Sequence, residues 1–349
     1  MRATRGDQAE ASAAESVVHM NQMGSPALNV RAVQRQLATL LPEARPAATG
    51  ESTLEIAGQG NDAPRLISAT VLEGGPLRAR RVFDPPTAGF RAFLDGTQRS
   101  ELVSYLGGVP IILGRVAAVV RERRLRRMHT WHQALVETRL YCARQLVTPQ
   151  AWEALSVTYG PLLVDITDDA ADLASHPFAL RDAAVHRVQG HREELEQRLA
   201  ERWCNMEHDP LFIDGGISGS EKVAVSSCTV GVVKSHRTLY AEGEALGAVL
   251  SLGRYERSSV FRITSPRRTT VASWYLRLRD PRGHDPMWGL IRAEIACPQP
   301  QDMDRIGARA DEVSRWILAE TSPLALPDAR WDKMVYGVRD CEEYLRAIN

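Results

Sequence analysis

The stretch from Leu211 to His236, LFIDGGISGSEKVAVSSCTVGVVKSH, decides how the chain is read. Its apolar run Leu211-Phe212-Ile213 stops at Asp214, and Gly215, Gly216, Ser218, Gly219 and Ser220 follow. A short apolar run bounded by turn residues predicts a buried strand. Val223 to Val233 then predicts a returning strand that ends at Lys234. The unit delivers a carboxylate to one strand tip and an ammonium to the next. The glycines between them let backbone or ligand approach closely.

A second unit of this kind lies upstream. Gly89-Phe-Arg-Ala-Phe-Leu94 leads into Asp95-Gly96-Thr97-Gln98-Arg99-Ser100, and Glu101 to Val120 reads as strand, bent at Gly107-Gly108-Val109-Pro110. One Asp-Gly after a strand marks a turn. Two, each followed by small hydroxyl residues and a cation, point to a site. Between them, Val185 to Trp203 predicts the clearest helix, with Leu195, Leu199 and Trp203 on one face and Glu196 at its edge. Two aspartates and a glutamate suit a hard divalent cation, Mg²⁺ or Mn²⁺. Converging on a pair of ions, they would clamp the oxygens of a phosphodiester, and Lys234 would neutralise phosphate charge.

Bulk properties narrow the class. The chain has 349 residues, 44% hydrophobic and 25% charged, with 43 basic and 43 acidic residues and zero formal net charge. That is enough for one large or two ordinary domains. Zero net charge excludes a chain coated in positive charge, though not a local nucleic-acid groove. Lysine occurs only at 222, 234 and 333. No apolar run approaches the roughly 20 residues of a membrane span, and MRATRGDQAEASAAE has no apolar signal core. The expectation is a cytoplasmic protein with no membrane partner. The five cysteines (142, 204, 228, 297, 341) form no CxxC pair, so no structural zinc or disulfide framework is indicated. No GxxxxGK[ST], no GxGxxG opening a helix and no GxSxG is present, which excludes P-loop, dinucleotide and nucleophile-elbow readings.

The remaining chain predicts a frayed end over residues 1–30 and a helix from Val30 to Leu41. Short strands are expected from Leu66 to Val82. RERRLRR, residues 121–127, carries five arginines in seven and reads as a solvated helix face or a phosphate-contacting patch. His129 to Leu146 reads as helix, with His129 and His132 as surface histidines rather than a metal pair. Asp165, Asp168, Asp169 and Asp172 read as an acidic loop or helix start, with a metal site as the alternative. Further on come a helix over 239–252, strands over 259–263, 270–279 and 287–296, a helix over 302–319, a Pro-bearing loop over 324–331 and a last helix over 339–347. The arginines of 121–127, with Arg267, Arg268, Arg277, Arg279 and Arg282, are expected to guide a nucleic-acid strand.

As a set, Phe93-Leu-Asp95-Gly96-Thr97-Gln-Arg99, the helix from Arg192 to Arg202 with Glu196, Phe212-Ile-Asp214-Gly215, Val230-Gly-Val-Val-Lys234 and Leu290-Ile-Arg-Ala-Glu294 resemble the NurA family of nucleases. The resemblance covers roughly Gly89 to the C-terminus. It implies an α/β fold: an RNase H-like mixed sheet flanked by helices, with a helical insertion and a small N-terminal extension. Residues 1–85 would be the extension, and 86–349 the nuclease domain with its insertion at about 121–185. The implied activity is that of a Mn²⁺- or Mg²⁺-dependent DNA nuclease, a 5′-to-3′ exonuclease and single-strand endonuclease. Such a nuclease works as a homodimer with a HerA-like hexameric DNA-translocating ATPase, in DNA end processing for repair or in defence against phage. Residue by residue, Asp95 and Asp214 match the family's metal-binding aspartates and Glu196 its intervening glutamate; Glu193, Glu194 and Glu137 are weaker stand-ins.

The chain also departs from the family. Thr97 stands where serine is common. Tyr336-Gly337 replaces a Tyr-Pro pair, and no histidine follows His284. Glu342 is the expected last ligand, with Asp340 and Glu343 as alternatives. The other readings are a catalytically silent RNase H-like adaptor for a partner ATPase, and an enzyme acting on RNA or guide-paired DNA.

Overall fold

A computed structural model describes residues 28–47, 53–54, 63–167, 176–321, 333 and 335–348. Residues 1–27 of the end expected to fray over 1–30, the acidic residues Asp168, Asp169 and Asp172, and the loop 324–331 lie outside the described residues. In chain order, the elements that position the site are β1 (Ala92–Leu106), β2 (Val109–Arg124), β3 (Arg127–Thr130), α1 (Pro177–Met206), β4 (Leu211–Asp214), β5 (Thr229–Val233), β6 (Val271–Arg277), β7 (Leu290–Ala296), α2 (Ile306–Glu320) and α3 (Tyr336–Ile348). The architecture is α/β, a large mixed sheet flanked by helices. No helix among the described residues is long and apolar enough to cross a membrane.

The chain divides into two units, each assembled from separated stretches. One takes in the described residues of Met1–Glu55, with Ser100–Gly114 and Thr138–Val185. Its helix Val30–Leu40 starts where the Asn29 side chain accepts from Ala32 N, an N-cap that satisfies an orphan amide. Val33 and Leu37 face inward, and Gln34 Nε2 donates to Val103 O. Strands Arg45–Pro46 and Thr53–Leu54 pair antiparallel with the outer part of β1. Gly107 and Gly108, at φ 57° and 95°, turn the chain into β2, a backbone that glycine adopts without steric cost. A helix Pro149–Tyr159 follows a Thr148 cap, and Leu163–Asp165 pairs parallel with Leu140–Cys142.

The second unit takes in the described residues of Ile56–Arg99, with Arg115–Glu137 and His186–Asn349. Here β4 runs parallel to β1 on one side and to β5 on the other. Antiparallel β7 and β6 follow, then Glu256–Ser258 and Ala79–Arg81. Such central parallel strands are covered on both faces, which is why β4 and β5 read as unbroken apolar runs. Phe93, Phe212, Val232, Trp274 and Ala293 share one core with Val313 and Ile317 of α2 and with Val338, Cys341 and Leu345 of α3. The helix α3 meets β1 at Gly337, where a Cβ would lie 2.4 Å from the Phe93 ring. Close packing thus accounts for the glycine after Tyr336.

Some expectations are corrected. His129 to Leu146 is not helical: it contributes to β3 and to a strand Leu135–Cys142. Thr130, Val136, Thr138 and Tyr141 favour extended backbone, and neighbouring strands supply the pairing. The expected helical insertion over about 121–185 is therefore strand up to Cys142, with its first long helix at Pro149. RERRLRR is the end of β2 and a hairpin, not a helix face. Val223 to Val233 is not one strand, because Ser220 caps a single helical turn, Glu221–Ala224, before β5 begins at Thr229.

The aromatic centre of this core is the fold's sensitive point. Phe212 is 0% exposed, with ring centroids 5.2 Å from Phe90 and 5.8 Å from Phe93. Phe212→Ala should cost about 3–5 kcal/mol, read as a lower urea midpoint at unchanged slope.

Candidate active site

Parallel pairing sets the geometry. Ile213 is in register with Leu94. The next residues, Asp214 and Asp95, therefore stand side by side, about 5 Å apart at the backbone and on one face of the sheet. Asp95 is 6% exposed, and its Oδ1 accepts from Gly96 N at 2.8 Å. Burial lifts its pKa well above the carboxylate range. The charges of Asp214 and then Glu196 push the same way, while Lys234 and the Gly96 amide oppose them. Two carboxylates this close resist sharing full ionisation unless a cation joins them.

Asp214 already has one. Lys234 Nζ donates to Asp214 Oδ2 at 2.8 Å. Asp214 is in register with Val232, and Lys234 leaves β5 two residues later, so the ammonium spans one strand spacing.

Glu196 arrives from α1 and meets β1 at Gly96. A Cβ on Gly96 would lie 2.2 Å from Glu196 Oε1, so the glutamate occupies the room that any side chain there would take. Arg192, one turn earlier, pairs with Glu196 at 2.8 Å and donates through Nε to Gln98 on β1. Burial lifts the Glu196 pKa to about 7; Arg192 lowers it, while Glu193 and Asp214 raise it.

The structure thus brings Asp95, Glu196, Asp214 and Lys234 into one electrostatic group. Among the described residues, no three His, Cys, Asp or Glu side chains stand at metal-holding spacing. A Mg²⁺-type cation needs less than that, since one or two carboxylates hold it while water and substrate phosphate complete its shell. The Asp95–Asp214 pair is a donor set of that kind, oxygen-only and adjacent.

Glu342 pairs with Arg346 at 3.4 Å, and the charges acting most strongly on Asp95 do not include it. Asp340 pairs with Arg121 and Glu343 with Arg339. Of the stand-ins, Glu193 borders Glu196, and Glu194 pairs with Arg187. Glu137 is held down to about 2, first by its hydrogen bond to His191. His129 and His132 are exposed.

Most arginines expected to guide a strand are committed elsewhere. Arg277 is buried and donates to the carbonyls of Leu250, Leu252, Pro286 and Trp288; Arg279 donates to Thr321 O. Arg282 pairs with Asp280, while Arg267 and Arg268 remain exposed.

Two neighbours of this group, Arg192 and Glu294, received no role of their own from the sequence. Arg192 carries the i,i+4 signal to Glu196. Glu294, a charge in the middle of the apolar strand β7, is 3% exposed. It accepts from Ile217 N at 2.9 Å and pairs with Arg292 at 2.6 Å, pinning the loop that follows Asp214. A buried charge inside an apolar run is itself the signal, since it must find partners.

A scan against protein-family models finds no match for this chain, and a search of curated proteins finds none either.

The raised carboxyls make stability depend on pH in a stated direction. Glu196 has a folded pKa of about 7 against an ordinary 4.5, so its contribution is complete below 4.5 and is lost as pH rises through 7. Glu196→Gln should therefore gain on the order of 2–3 kcal/mol relative to wild type between about pH 4 and pH 8, and Asp95→Asn should move the same way. Urea denaturation at the two pH values reads both.

Proposed function

We propose that this chain is a metal-dependent nuclease that hydrolyses phosphodiester bonds in DNA. The observation that carries the reading is the pair of adjacent parallel-strand aspartates, Asp95 buried and Asp214 paired with a lysine. A site built to collect divalent cations and phosphate has this composition. The resemblance to the NurA nucleases gives it the polymer, DNA, and the core, an RNase H-like sheet. It also gives the assembly: a homodimer working with a HerA-like hexameric ATPase on DNA ends, in repair or in phage defence, in the cytoplasm.

When bound, Mn²⁺ or Mg²⁺ supplies Lewis-acid polarisation of the phosphoryl group and a more acidic water. The chain's own residues do the rest. Asp95 and Asp214 supply carboxylate oxygens on a rigid sheet, and Glu196 adds a carboxyl that changes charge near neutrality. Lys234, whose ammonium sits on Asp214 at 2.8 Å, would stand close enough to a phosphate held at that carboxylate to offset charge growing on its oxygen. Gly96 keeps Glu196 close to β1, Gly215 leaves the space beside it open, and Gly216 lets the Glu294 carboxylate approach.

One observation favours a catalytically silent adaptor: Asp214 and Glu196 each already face an internal cation. Calorimetry decides between the two readings. The nuclease takes up Mn²⁺ in a manner lost in Asp95→Asn, whereas the adaptor shows no carboxylate-dependent uptake. In the nuclease, Asp214→Ala should lower Mn²⁺-dependent cleavage of single-stranded DNA at least about 100-fold with the circular dichroism spectrum kept; cleavage at the wild-type rate would sink the proposal. Mn²⁺ should raise the melting temperature of wild type and not of Asp95→Asn.

A further inference from the structure

The arginine run of the sequence forms a hairpin with an unusual tip. β2 and β3 pair as far as Arg124 with Arg127, leaving Leu125 and Arg126 as a two-residue turn. Both are left-handed, at φ 47° and 64°. Such turns select glycine and asparagine, so a leucine and an arginine are held here against their preference, and strain of this kind gathers at working sites. Leu125 is 98% exposed, the barest large apolar side chain among the described residues. Arg124, Arg126 and Arg127 surround it, all exposed. Arg124 pairs with Glu122, while Arg126 and Arg127 have no ion pair among the described residues.

The stalk beneath the tip is clamped. Arg121 pairs with Asp340 of α3 and donates to Thr130 Oγ1; Arg123 makes a two-point pair with Glu320 of α2. Glu122 is bonded by both Arg91 and Arg124. The inner arginines are thus spent on rigidity and the outer ones left to solvent. Arg123 N donates to Arg91 O, four residues before Asp95. The tip therefore lies roughly 20 Å along the strand from the aspartate pair, about the length of six stacked bases.

We infer that this tip is a nucleic-acid wedge. Leu125 sits against the terminal base pair of a DNA duplex and loosens its stacking, while Arg124, Arg126 and Arg127 take the flanking phosphates. The inference rests on the DNA reading above and deepens it by adding a duplex end to the substrate. Apolar side chains that unstack base steps, flanked by arginines on phosphates, are a known recognition mode. A lone leucine offers too little apolar area to anchor a membrane.

The test uses the full chain in EDTA with a forked duplex carrying 2-aminopurine at its last base pair. Wild type should raise the fluorescence on binding. The double change Leu125→Asn and Arg126→Gly installs a favoured turn and keeps the hairpin. It should lose most of that rise and bind the fork on the order of 10-fold more weakly, with an equal or higher melting temperature. Arg127→Gln should weaken binding and lower its salt dependence. Unchanged fork affinity and fluorescence in the double variant, no fork binding by wild type, or tip-dependent binding to anionic vesicles in place of DNA would each overturn the wedge. The two readings fail separately: cleavage with an indifferent tip removes only the wedge, and tip-dependent fork binding without Mn²⁺-dependent cleavage removes only the nuclease.

Discussion

The parallel register of two strands forces two carboxylates together. Once Ile213 is paired with Leu94, Asp95 and Asp214 have no freedom to separate, because the sheet fixes both backbones. Burial of Asp95 then turns adjacency into electrostatic demand. Much of the surrounding chemistry answers it: an ammonium reaching back from β5, a guanidinium holding Glu196, and Glu294 gripping the loop after Asp214. The arrangement is costly in a dry core and useful wherever a doubly charged ion and a phosphate arrive together.

Packing converts that demand into precision. α1 can bring Glu196 against β1 only because position 96 has no side chain, and α3 can close on β1 only because position 337 has none. Both glycines are packing glycines, without the positive φ of the turn glycines at 107 and 108. Cys341 of α3 donates to Phe93 O, two residues before Asp95, and its thiol is pushed up first by burial and then by the Asp95 charge. The helical layer therefore insulates the pair on that side.

What the sequence disclosed was local. Asp95 and Asp214 were legible because each ends an apolar run and precedes a glycine, and Glu196 because it borders the apolar stripe of a strong helix. Their adjacency was not legible, since pairing between residues more than a hundred positions apart leaves no mark on either segment. The stretch 129–146 misled because its charged and apolar residues also satisfy a helical period; its β-branched residues and its neighbours decided otherwise. The short helix before β5 was hidden in a run of valines, and Ser220 was the clue. Among the arginines, the 121–127 run reads in sequence as a solvated helix face or a phosphate-contacting patch. Only the fold separates those that brace strands from those that face solvent.

The lysine bound to Asp214 has a consequence for how such a protein is made. A chain in which Asp214 and Glu196 carry their own counter-ions can complete its core before any divalent ion is at hand. Its folding then needs no metal, unlike that of zinc-nucleated domains, where loss of the ion means loss of the fold. Were it the nuclease proposed above, the supply of ion and polymer, not biosynthesis, would set when it works.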